Sequence, residues 1–156
     1  MIISNKRKVG LVLIMLIMAF RFIAWYHYVG DIVNIWHWIL GVLTLLPLDG
    51  MIAGVYGFWS REKHIAFTVG FLPSTISLIV TVIPIIQNIT YFSTPYVTYI
   101  HFLVFFRAFY LFGGCAVGMG LMGFGLAKWK ESGKSISFWG FILWLFTLMT
   151  SALLSS

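Results

Sequence analysis

Residues 96–126 read YVTYIHFLVFFRAFYLFGGCAVGMGLMGFGL, and AKWKESGK follows at 127–134. A membrane-crossing helix needs about 20 mostly apolar residues. This stretch exceeds that length with only His101 and Arg107 to interrupt it, and Lys128, Lys130 and Lys134 then close it with positive charge. The same alternation of apolar run and short polar turn recurs outward along the chain, giving further candidate spans at 9–28, 33–59, 65–87 and 136–154. The sequence therefore predicts an all-α fold, a polytopic integral membrane helical bundle of about five transmembrane helices in a single domain over 1–156. The composition, 61% hydrophobic and 9% charged with a mean hydropathy of +0.99, lacks the polar residues that cover a water-facing surface; an ordinary soluble domain is about 45–50% apolar and about 25% charged.

The connections predict sidedness. Lys6, Arg7 and Lys8 precede span one, Arg61 and Lys63 separate spans two and three, and Lys128, Lys130 and Lys134 separate spans four and five, whereas the connections around Gly30 and at 88–95 carry no Lys or Arg. Cytoplasmic loops carry the excess of basic residues, so the expected topology is N-terminus inside, C-terminus outside, multi-pass, in the plasma membrane. Trp25, Trp36, Trp38, Trp59, Trp129 and Trp139 fall near span ends, where interfacial aromatics belong. A signal peptide is the other reading of 6–28, but the run is long, contains Arg21 and lacks a small-residue cleavage site. The formal charge of +6 comes from basic residues in these short clusters, not along one face, which argues against nucleic acid as a partner.

Small residues mark where helices are expected to pack. Gly113, Ala116, Gly120, Gly123 and Ala127 lie on one stripe of span four, with Gly114 and Gly118 beside it, and Gly50, Gly54 and Gly57 share a face of span two. Close backbone approach supplies the van der Waals contact that drives association once lipid has removed the hydrophobic force. The expectation is that Gly114 and Gly118 contact the face carrying Gly50 and Gly54. Pro47, Pro73 and Pro84 are expected to kink spans two and three.

Ionisable residues inside spans are the candidates for chemistry. Counted from the outer span ends, Asp49 lies ~24 Å deep, Arg107 ~16 Å and Arg21 ~11 Å. Asp49 is the only deep acid, so an intramembrane pair of Asp49 with Arg107 is expected, with Arg21 reaching outward to the interface. A protonated Asp49 bonded to a hydroxyl such as Ser74 or Thr75 is the competing arrangement. His37 and His101 enter at similar depth from parallel helices, with His27 nearby, an arrangement suited to haem or another metal, although no metal-ligand spacing accompanies them. Cys115 lies within an apolar run, as a packing residue does. The segment Ser132-Gly133-Lys134-Ser135 echoes a phosphate loop without its upstream glycine or strand, and Asn88-Ile89-Thr90 is a glycosylation sequon beside a span.

The loops are too short for a catalytic domain. The first expectation is therefore a non-enzymatic subunit or scaffold of a larger membrane complex, with the lipid bilayer and other membrane chains as partners. The alternatives are a small transporter or channel component with a path near Asp49, and an electron-transfer subunit binding haem, metal or quinone near His37 and His101.

Overall fold

The computed structural model describes residues 5–29, 35–91 and 95–153, which form five helices and no strand: α1 (Asn5–Val29), α2 (Ile35–Ser60), α3 (Lys63–Tyr91), α4 (Pro95–Ala127) and α5 (Gly133–Leu153). Each helix overlaps one apolar run but does not stop where the run stops. α1 begins at Asn5 and takes in the basic residues, and α4 extends over 33 residues, because the backbone hydrogen-bond ladder does not depend on side-chain polarity. α2 and α3 continue through Pro47, Pro73 and Pro84. Two stretches, Lys63–Val80 and Phe102–Ala127, are long and apolar enough to cross a membrane.

Among the described residues the order of packing is α1 against α3 and α2, α2 and α3 against each other and against α4, and α5 against α4 alone. One apolar cluster joins Ala53, Tyr56, Ala66, Val69 and Ala127, with Leu13, Ile14 and Ile17 of α1 laid over it. A second joins Ala108, Phe112, Cys115 and Met119 of α4 with Leu78 of α3 and with Trp144 and Leu148 of α5. Outside these clusters the bundle is sheathed in large apolar side chains, among them Met15, Val55, Phe106, Phe138 and Phe146.

Alternating helices bring the start of α1, the α2–α3 turn and the α4–α5 turn to one end of the bundle, and eight of the ten Lys and Arg residues lie there. Arg7 pairs with Glu62 at 3.1 Å, and the Tyr56 hydroxyl donates to the Lys6 carbonyl at 2.9 Å. The α2–α3 corner turns on Arg61, which takes a left-handed φ of 62° while its N–H donates to the Gly57 carbonyl at 3.1 Å. Its guanidinium lies 4.7 Å from the Phe58 ring and donates to the Leu126 carbonyl at the end of α4, 3.3 Å away. Lys6, Lys128 and Lys134 likewise lie over Trp59, Phe124 and Trp129.

Candidate functional site: the buried pair of Arg21 and Asp49

Two of the ionisable residues singled out above are joined, but not the expected two. The Arg21 guanidinium Nη2 donates to Asp49 Oδ2, and the residues are 6% and 5% exposed. Arg107 is exposed on α4, so the expected pair of Asp49 with Arg107 does not form.

Helix length explains the exchange of partners. Depth counted from the outer span ends misleads, because α2, α3 and α4 all exceed what a bilayer core of about 30 Å requires at 1.5 Å per residue. Counted from the basic end, where the helices are tied together, Asp49 stands ~16 Å above Ser60, Arg21 ~20 Å above Lys8 and Arg107 ~30 Å above Ala127. Arg21 is therefore nearly level with the acid, and Arg107 is far above it. Side-chain direction adds to this, since a helical side chain leans toward its own N-terminus. α1 and α2 are antiparallel, so Arg21 and Asp49 lean toward each other; α4 runs parallel to α2, and Arg107 leans away. Each ion would be expensive to bury alone, so together they fasten α1 to α2 at this level.

The small residues do not all meet as expected either. Gly114 and Gly118 face α5, not Gly50 and Gly54: a Cβ on Gly118 would stand 2.7 Å from the Trp144 backbone nitrogen, and one on Gly114 would stand against the Thr147 side chain. Gly50 and Gly54 face the Met119, Met122 and Leu126 side chains of α4, while Gly57 meets the Gly123 carbonyl, with Ala66 of α3 beside both. Gly120 meets the Phe67 ring of α3, and a Cβ on Gly113 would meet nothing within 4 Å. α4 is covered on three sides, so two stripes about 100° apart reach different neighbours.

The reading from sequence missed the α4–α5 seam. Gly118 lies against Gly140 and Gly125 against Gly133, in one antiparallel register. The signal was the seven-residue spacing shared by the two helices. Gly70, whose Cβ would meet the Met119 and Gly120 backbone, was missed because nothing repeats it on α3.

The Thr75 hydroxyl donates to the Phe71 carbonyl at 2.9 Å, and Ser77 to Pro73 at 3.0 Å. Ser74 Oγ is buried without a hydrogen-bond partner. Cys115 is a free, buried thiol. The side chains of His27, His37 and His101, the proposed haem or metal ligands, lie outside what the structure describes, as do those of the Asn88 sequon; among the described residues no cluster of His, Cys, Asp and Glu is arranged to hold a metal.

The chain matches no protein-family model, no curated protein and no solved structure.

Proposed function

We propose that the chain is a five-span, multi-pass helical subunit or scaffold of a larger membrane assembly, with the basic end in the cytoplasm and no catalytic activity of its own. The observation that carries this reading is the use to which the described core puts its polar groups. Arg21 and Asp49 neutralise each other, Ser77 and Thr147 return their hydroxyls to carbonyls of their own helices, and Ser60 caps the Glu62 N–H. The ion pair joins α1 to α2 and the hydroxyls are satisfied locally instead of facing a substrate, while the sheath of exposed apolar side chains offers surface to lipid and to other membrane chains. The concentration of positive charge at one end supports the orientation.

Extraction in mild detergent followed by size analysis and intact mass measurement tests the proposal. Other chains are expected to co-purify at fixed ratio; a lone chain that moves solute in proteoliposomes would refute it. One observation favours a second reading, a small transporter with Asp49 on its path. Ser74 is level with Asp49 by the register in which Gly57 meets Ala66, and its buried hydroxyl has no partner. Proton flux abolished by both Asp49→Asn and Ser74→Ala would move the assignment there.

A further inference from the structure

The basic end of the bundle holds more positive charge than its own acids can answer. Its acids are Glu62 and Glu131, and both are already taken, Glu62 by Arg7 at 3.1 Å and Glu131 by Lys128 at 3.2 Å. Of the eight cations there, six are left without an acid. Lys6, Arg61 and Lys134 lie over the rings of Trp59, Phe58 and Trp129. Lys8, Lys63 and Lys130 are exposed and form no ion pair or ring contact among the described residues.

These three lysines are divided among the three chain segments that meet at this end: Lys8 in α1, Lys63 after the α2–α3 turn and Lys130 in the α4–α5 turn. A Cβ on Gly10 would meet Tyr56 and Ile65, so Lys8, two residues earlier, points about 160° away from the bundle interior. The helix ends add to the excess. α1, α3 and α5 all run from this end, and none has an acid in its first turn, so the positive ends of their dipoles meet lysines instead of the carboxylates that stabilise such ends. The surface is also shallow. Its turns contain only two and five residues, and Arg61 ties the first to the last turn of α4. Trp59 and Trp129, beneath Lys6 and Lys134, are 52% and 37% exposed, and such rings settle at the depth of lipid headgroups.

We propose that the basic end binds anionic phospholipids of the cytoplasmic leaflet, with Lys8, Lys63 and Lys130 each paired to a headgroup phosphate. Basic residues beside a span attract anionic lipid by about fivefold for each lysine at the surface. A zwitterionic headgroup carries its own ammonium beside the phosphate and answers less of the surplus. An acidic polypeptide fits less well, because the three lysines do not share one raised face: each stands within about a turn of a helix end, at the level where headgroups lie.

The inference rests on the membrane-embedded reading, and the two can fail separately. The full chain, purified in mild detergent, is offered an equimolar mixture of dioleoyl phosphatidylglycerol and dioleoyl phosphatidylcholine, which differ only in headgroup, and the lipids it retains are identified by native mass spectrometry. The parent is expected to retain phosphatidylglycerol in preference. The triple variant Lys8→Gln, Lys63→Gln, Lys130→Gln is expected to lower that preference by at least about fivefold, the share of a single lysine, while eluting as the parent does. Should it fail to fold, Lys130→Glu alone, in an exposed turn, is expected to lower the preference several-fold. Arg107→Gln, which removes a cation from α4 far above this end, is expected to leave it unchanged. Equal retention of the two lipids by the parent, an unchanged preference in the lysine variant, or an equal loss in Arg107→Gln would each overturn the proposal. So would displacement of the lipid by inorganic phosphate, which would make this a simple anion site, or an acidic polypeptide lost from the lysine variant while its lipid preference stands. A chain that stays in solution without detergent would sink both readings, whereas an integral chain that shows no preference would sink only this one.

Discussion

α1 and α5 are both edge helices, yet they are fastened by opposite means. α1 is tied at separate points: Arg21 to Asp49, Arg7 to Glu62, and the Lys6 carbonyl to the Tyr56 hydroxyl. Between the ties its apolar residues, from Leu11 to Ile23, are largely exposed. α5 carries no such ion pair among the described residues; glycines at 118, 125, 133 and 140 let its backbone approach that of α4 along the seam. In lipid, association draws on packing and polar contacts because apolar burial gains little. Ion pairs mark the α1 edge, and close backbone approach together with a Tyr110–Thr150 hydrogen bond marks the α5 edge.

The largest expected effect lies on the α1 side. Asp49→Asn or Arg21→Gln leaves an uncompensated buried charge or a buried amide in poor company, and each is expected to destabilise the fold by about 3–5 kcal/mol. Replacing both together by Leu and Met should restore most of the loss, as read from unfolding in mixed detergent. Strict additivity would mean that the pair does not form. Coupling of Asp49→Asn to Arg107→Gln would reinstate the partner expected from sequence.

Next comes the seam. Gly118→Leu is expected to cost about 1–3 kcal/mol by overpacking, because its first carbon already meets the Trp144 backbone at 2.7 Å. Arg21→Gln should leave this loss unchanged, since distant sites add. If the two variants instead compensate, the edges are not independent.

Adjacent glycines sharpen the same point at smaller scale. Gly114→Ala must push against Thr147, which already donates to the Leu143 carbonyl at 2.7 Å, whereas Gly113→Ala enters open space. Alanine is the better helix former by about 1 kcal/mol, so Gly113→Ala is expected to be neutral or stabilising and Gly114→Ala destabilising. Equal melting temperatures for the two would remove the α5 contact from the account.

The smallest effect belongs to Arg7 and Glu62. Both side chains are partly exposed, at 47% and 27%, and such pairs contribute about 0–1 kcal/mol. Glu62→Gln should therefore shift stability little and lose even that at high salt. A loss comparable to that of Asp49→Asn would show this tie to be shielded from solvent.

The five helices were legible because apolar runs and basic turns are properties of neighbouring residues. The face carrying Gly50, Gly54 and Gly57 was legible for the same reason, as helical periodicity is local. Partnership was not. Choosing between Arg21 and Arg107 for Asp49 required knowing which end of each helix sets its height, and α4, at 33 residues, is longer than a bilayer core of about 30 Å requires. Assigning Gly114 to α5 instead of α2 required knowing how many neighbours surround α4. Both are relations between helices. The shared spacing of Gly118 with Gly125 and Gly133 with Gly140 was the one written hint.

The Arg61 corner sets an order of construction. An arginine in the left-handed region is disfavoured by about 1–2 kcal/mol, and the carbonyl its guanidinium reaches belongs to Leu126, 65 residues later. Chains emerge from synthesis N-terminus first, so the hairpin of α2 and α3 is made while its arm can reach the Phe58 ring but not yet the carbonyl of Leu126. The last turn of α4 supplies that second contact. The corner is thus a latch half closed until the fourth helix is in place, and a chain cut before residue 126 would keep the left-handed corner and lose the acceptor.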